Sequence, residues 1–346
     1  MKPTLPSSPV PEVPGLPDAS SDFDFDTDVA PEAELRTLSM GLAQHGQRLD
    51  RALADTVPEF SRSYLQQLLE QGAVRLNGAV ASKAAQRIKV GDQVLLEMRA
   101  TLQSQAFKPE PMALEVVYED ADLLVLHKPA GLVVHPAPGN WTGTLLNGLL
   151  ARDAQASLMP RAGIVHRLDK DTSGLMVVAR NRRTMDALVQ MIAAREVRRQ
   201  YLALAHRPWQ GAAQRSVNAP IGRDPRNRLR MAVVDLALHA GKTAKTDVQL
   251  LAKGDAGCLV QCTLHTGRTH QIRVHMAHIG HPLLADALYG GSEGAGMQRQ
   301  ALHAFRLAFT HPGTGQALDL RAPLPVDMQQ ALFLWGLGYN PDLPKP

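Results

Sequence analysis

His166-Arg167-Leu168-Asp169-Lys170-Asp171-Thr172-Ser173-Gly174 runs directly into the apolar stretch Leu175-Met176-Val177-Val178-Ala179. Seven of the nine loop residues carry side chains that donate or accept hydrogen bonds, and the five that follow read as a buried strand. A helix is predicted next, over about 183–195, with Met185, Leu188, Val189 and Ile192 at helical spacing. Outward from this point, Leu123-Leu124-Val125-Leu126 and Leu259-Val260-Gln261-Cys262-Thr263-Leu264 are further short strands between turns. Many strands with few helices at irregular intervals predict an α+β fold on a mixed, largely antiparallel sheet, not a doubly wound parallel one.

The chain of 346 residues is long enough for two domains. Two cysteines, Cys258 and Cys262, exclude a disulfide scaffold and a four-cysteine zinc module. No apolar run reaches the ~18 residues of a membrane span, and the start has no signal-peptide pattern. A soluble, cytoplasmic, monomeric protein without membrane contact is expected. The net charge of +4 hides an asymmetry. Residues 1–36 hold seven prolines and a net charge of −6, and the remainder carries +10, mostly as arginine. Residues 1–36 are therefore predicted to be a disordered acidic tail, and the basic body admits an anionic partner.

Residues 37–100 are predicted to form a small domain. A helix around Arg48-Leu49-Asp50-Arg51 is followed by a second, with Ser61 as its cap and Gly72 as its left-handed end. A hairpin turns at Asn77-Gly78, and Gly91-Asp92 leads into a last strand, Gln93 to Met98. Pro109 and Pro111 mark residues 101–112 as a linker, leaving 113–346 as the larger domain.

Asp169 and Asp171 flanking Lys170 suit proton or glycosyl chemistry, although the composition also fits a capped polar turn. In Gly267-Arg268-Thr269-His270-Gln271-Ile272-Arg273-Val274-His275-Met276-Ala277-His278-Ile279-Gly280-His281-Pro282, Thr269 is placed to cap a helix. Its Ile272, Met276 and Ile279 form a buried face, and Arg273 projects away from it. The histidine spacing 270, 275, 278, 281 matches no familiar metal pattern, so no metal is expected.

These segments, with Lys128-Pro129-Ala130-Gly131-Leu132-Val133-Val134-His135-Pro136, resemble the three motifs of the RluA family of RNA pseudouridine synthases. Arg48-Leu49-Asp50, Ser61-Arg62, Val74 to Gly78, Lys83 and Gly91-Asp92 resemble the S4 RNA-binding domain. Together the similarity spans about residues 40–335. Within the family, Pro160-Arg161-Ala162-Gly163-Ile164-Val165 and Val134-His135-Pro136 are most similar to the D-type branch, which acts on large-subunit ribosomal RNA.

The resemblance implies an isomerase that needs no cofactor, because turning uridine into pseudouridine changes neither redox state nor composition. It assigns the reactive carboxylate to Asp169, its ionic partner to Arg273, and the residue packing against the base to Tyr201. Arg167 takes the base-flipping position and Ile272 lines the pocket. Arg48, Arg51, Arg62, Lys83 and Arg268 would grip RNA, with Lys128, His135, His166 and Lys170 supporting RNA or loop. The partner implied is large-subunit ribosomal RNA, as free RNA or in an assembling particle. A sister synthase, a non-catalytic RNA-binding assembly factor and a glycosidase using Asp169 with Asp171 are the competing readings.

Overall fold

The computed structural model describes residues 34–57, 62–81, 83–98, 106–137, 139–227 and 230–339, with the side chains of Arg62 and Ser63 outside that set. The chain divides into two compact units, Met1–Thr101 and Leu102–Pro346. The first contains β1 (Glu34–Ser39), α1 (Leu49–Thr56), α2 (Arg62–Glu70), β2 (Val74–Leu76), β3 (Ala79–Val80) and β4 (Gln93–Met98). Its antiparallel sheet has the order β1-β4-β2-β3. Leu49, Leu53, Leu65, Leu68, Val94 and Leu96 form its buried core. Asn77 and Gly78 both have positive φ (52° and 84°), as the two-residue hairpin turn requires. Gly72 ends α2 with φ 68°.

β1 corrects one expectation. Glu34 to Arg36 lie within the segment assigned to the acidic tail, yet they pair with Met98 to Leu96 of β4. Residues 1–33 and Ser61 lie outside the described residues.

The second unit is α+β. In chain order it has β5 (Glu115–Glu119), β6 (Leu123–Lys128), α3 (Leu145–Arg152), β7 (Ser173–Ala179), α4 (Arg182–Ala194) and β8 (Arg198–His206). Then come β9 (Gln214–Asn218), β10 (Ile221–Arg223), β11 (Met231–Val233), β12 (Gly241–Lys242), β13 (Lys245–Lys253) and β14 (Gly257–Leu264). α5 (Gln271–His278), β15 (Leu302–Thr310), β16 (Ala317–Arg321) and α6 (Val326–Leu334) complete it. A nine-stranded sheet runs β5-β6-β7-β15-β8-β14-β13-β9, with β16 on β15, and β10 to β12 form a separate small sheet. Among the described residues, only β7 and β15 pair in parallel; the other ladders are antiparallel.

Every residue of β7 is buried, because the strand is central and covered on both faces. Two apolar clusters result, one holding Met176 and Val178, the other Leu175 and Val177. Helix α4 covers the second through Leu188, Met185, Met191 and Ile192, while Val189 faces solvent instead of joining them.

The expected linker is corrected too. Thr101 to Gln105 lie outside the described residues, but Ala106 is buried, and Asn147 of α3 donates to Ala106 O (3.1 Å) and Lys108 O (2.8 Å). Residues 106–110 are thereby fastened to the second unit.

Candidate active site

Hydrogen bonds from several elements hold the backbone of the 166–174 loop. Thr172 N–H donates to Asp169 O (3.1 Å), closing a turn. Lys128 at the end of β6 is fully buried, and its Nζ donates to Pro129 O, Leu132 O and Lys170 O at 2.8–2.9 Å. Burial pulls the Lys128 ammonium down to about 7. Three carbonyl acceptors nevertheless need three N–H donors, which only the charged amine has, so the ammonium form is kept. Arg299 donates to Asp171 O (2.9 Å) and is itself held by Asp327 at 2.7 Å. Lys128 therefore supports the loop, and Asp171 serves it through its backbone.

Gly174 lets the loop enter the sheet. Its φ is +119°, and a Cβ there would stand 2.3 Å from Ala304 O of β15. His166 accepts the Val177 N–H through Nε2 (3.1 Å), which leaves Nδ1 as the protonated nitrogen. Burial drives this ring down to about 3, so it is neutral and also supports the loop.

Helix α5 brings the second half of the site. Its cap is His270 in a left-handed conformation (φ 56°), not Thr269. Gln271 replaces a capping side chain by accepting from Thr266 Oγ1 (2.7 Å) and Arg268 N–H (3.0 Å). It also donates to Lys245 O and Thr246 Oγ1. His275 joins this network through Thr246 Oγ1 and Ala219 O, both at 2.9 Å. Residues 271–276 are all buried, so Arg273 lies in the interior and not on an outward face.

Arg273 bridges two carboxylates. Nε and Nη2 make a fork to Asp286, both at 2.7 Å, and Nη1 donates to Asp169 Oδ2 at 3.3 Å. Burial opposes the guanidinium charge, but the Asp286 and Asp169 carboxylates outweigh it and hold its pKa above the ordinary value. Tyr289 packs its ring 5.0 Å from the Arg273 Cζ. The Tyr289 hydroxyl accepts from Met231 N–H (3.0 Å) and lies 2.8 Å from His270 Nδ1. A hydroxyl that donates to Nδ1 leaves the proton on Nε2, which lies 3.9 Å from Asp169 Oδ1. Burial lowers the His270 pKa, so the ring faces the carboxylate in its neutral form.

Asp169, His270 and Arg273 line one cavity of about 940 Å³, while Asp286 and Tyr289 stand behind its wall. Asp169, Arg273, Tyr201, Arg167, Ile272 and Arg268, all marked from sequence, line it. His135 and His166 do so as well. Tyr201 is buried, which pushes its phenol up to about 12, so it stays protonated. Arg167 is exposed at the cavity, and Arg268 is tied by Nε to Thr243 O (3.1 Å). Lys170 points to solvent. Among the described residues lining the cavity, Asp169 is the single acid against six arginines. Asp286 and Tyr289 had not been singled out in the sequence. An acid interrupting Leu283-Leu284-Ala285-Asp286-Ala287-Leu288 is the signal that points to a buried ion pair.

Comparison with known proteins decides the family. The RNA pseudouridylate synthase profile matches residues 122–278 and the S4 domain profile residues 47–94. The Ribosomal large subunit pseudouridine synthase D of Neisseria meningitidis serogroup B is 46% identical over 334 residues, covering 91% of this chain and 86% of that protein. The chain belongs to the RNA pseudouridine synthase family. The Escherichia coli pseudouridine synthase of the same name is 41% identical over 312 residues, covering 86% of this chain and 93% of that one. Among solved structures, Human RNA Pseudouridylate Synthase Domain Containing 4 shares the synthase fold. Its TM-score is 0.50 at 23% identity, covering 65% of this chain and 94% of that one.

In the first unit, Arg48 is exposed but held by Asp50, with contacts at 3.0 and 3.2 Å. Arg51 and Lys83 are exposed, while the side chain of Arg62 lies outside the described residues.

Proposed function

We propose that this pseudouridine synthase isomerises specific uridines of large-subunit ribosomal RNA, with Asp169 as the reacting carboxylate. One observation carries the reading: among the described residues lining the cavity, Asp169 is the single carboxylate, held by a buried arginine, and the other formally charged side chains are arginines. Such a lining attracts a polyanion and repels cations. The relatives named as large-subunit ribosomal enzymes support the substrate class.

The reaction breaks the C–N glycosidic bond, turns the uracil and rejoins it through carbon. Asp169 acts either as nucleophile or as the base that removes a sugar proton, and both routes begin from an ionised carboxylate. Arg273 favours that form by opposite charge. The neutral His270 Nε2–H faces the second carboxylate oxygen from 3.9 Å. The uridine must leave its stack to reach Asp169, at a cost of about a few kcal/mol. Arg167, exposed at the cavity, fills the space left in the stack. Tyr201 and Ile272 receive the uracil face on the cavity's apolar side. The first unit grips phosphates through Arg51, Lys83 and the partly neutralised Arg48.

Asp169→Asn tests the assignment. Tritium release from 5-tritiated uridine in ribosomal RNA should vanish, while filter binding of the same RNA stays near the native value. Turnover above about a few per cent would remove Asp169 from the reaction. Mapping pseudouridines in ribosomal RNA from cells lacking the protein tests the substrate, with the helix-sixty-nine stem-loop, to which the D-type resemblance points, as the expected site.

A further inference from the structure

Arg199 has no role in the mechanism above, yet it is 94% buried (6% relative exposure) and lines the same cavity. Its Nε is buried without a hydrogen-bond partner, and its guanidinium makes no ion pair or hydrogen bond among the described residues. A desolvated cation without a counter-charge is costly, and such groups in folded proteins call for an explanation. The protein offers none here. Asp169, the cavity's one acid, is already engaged by Arg273.

The position says what would complete it. Arg199 and Tyr201 are two residues apart on β8, so their side chains leave the same face of the sheet. One such step is about 6.6 Å, close to the span between a nucleobase and its own phosphate. The backbone at Gly267 closes the other side, where a Cβ would stand 2.9 Å from Arg199 Nη1. His166 and Tyr201 both lie within the reach of its charge.

We propose that Arg199 binds a phosphodiester flanking the flipped uridine and thereby registers the base against Tyr201 and Asp169. A guanidinium suits this because its planar fork engages two phosphate oxygens at once. The proposal rests on the pseudouridine synthase reading and names one further contact of that site.

The test pairs Arg199→Gln with a ribosomal stem-loop carrying one neutral methylphosphonate, placed 5′ and then 3′ of the target uridine. Wild type on the natural stem-loop should release tritium; failure there would refute the underlying reading and not this contact. The variant should raise KM on natural RNA by about 10- to 100-fold, the scale of a charge-assisted hydrogen bond, with a smaller change in kcat. One methylphosphonate should cost wild type a similar factor and cost the variant almost nothing more. Equal losses in both proteins at both linkages would overturn the proposal. So would coupling of Arg199→Gln to a 4-thiouridine target, which would reassign the contact to a uracil carbonyl. Thermal stability of Arg199→Gln should hold or rise, since no protein partner is lost; a clear fall with unchanged KM would make the residue structural. Gly267→Ala keeps the charge but displaces the guanidinium tip, and it should raise KM in the same direction. An unchanged KM in this variant would count against the contact.

Discussion

Asp286→Asn is the most informative perturbation, because Asp286 supports the candidate site from a position closed to solvent. The residue is 1% exposed and holds Arg273 with two contacts of 2.7 Å. Asparagine keeps one acceptor oxygen but sets an NH2 against a guanidinium N–H, and it removes the charge. Breaking one side of a buried pair costs about 3–5 kcal/mol. One hydrogen bond survives, and Asp169 remains as a counter-charge at 3.3 Å, which points to the lower end, about 3 kcal/mol. For a domain of this size each kcal/mol moves Tm by roughly 2–4 °C, so the transition should fall by roughly 6–12 °C. Arg273, released from its fork, turns further onto Asp169 and ties up the oxygen that must react. A misplacement of about 1 Å can cost about 100-fold, so kcat should drop by about 10- to 100-fold. KM should change little, since Asp286 does not line the cavity. Calorimetry and tritium release measure the two effects separately. A variant with native Tm and kcat within about twofold would refute the clamp. The double variant Arg273→Met/Asp286→Leu should regain most of the stability while remaining inactive, because an apolar pair of similar volume can replace a buried ion pair.

Gly174→Ala should yield little folded protein, because the new methyl would collide with Ala304 O in a backbone conformation that alanine avoids; native-like expression and Tm would contradict the close β7–β15 approach. His135, His166 and His303 are pushed by burial to about 4, about 3 and about 4, and so are neutral in the fold. Unfolding lets each bind a proton below its ordinary value of about 6.5, so stability is present above pH ~6.5 and is lost as pH falls towards about 4. Each adds up to about 1.4 kcal/mol per pH unit, and a flat Tm profile between those limits would contradict their burial. Replacing Arg51 and Lys83 with Gln should flatten the salt dependence of RNA binding by just under about one unit per residue, leaving kcat on saturating RNA intact; an unchanged slope in filter binding would place both away from phosphates.

Local chemistry settles much of this molecule before any tertiary contact forms. Asn77-Gly78 selects a two-residue hairpin because both positions need positive φ. Gly72 ends a helix for the same reason, and the apolar period of 182–194 makes α4 amphipathic. The step from a polar loop into Leu175–Ala179 places Asp169 beside a buried strand, and the resemblance pairs it with Arg273. Partners far apart in the chain are another matter. Asp169 and Arg273 meet across 104 positions, and Lys128 reaches Lys170 across 42. Nothing in the spacing around Lys128 says that a lysine in a strand will be fully buried, since its three acceptors are carbonyls brought in by folding. Strand β1 was hidden because Glu34-Leu35-Arg36-Thr37-Leu38-Ser39 is charged at its start and adjoins an acidic segment; pairing with β4, not composition, makes it a strand. The cap of α5 passed from Thr269 to a left-handed His270 because Gln271 finds four partners on neighbouring elements. Asp286 and Arg199 complete the pattern. Sequence identifies which side chains can carry charge, but only packing decides which charges lose their water, and that loss makes Asp286 a clamp and buries Arg199 Nε without a hydrogen-bond partner.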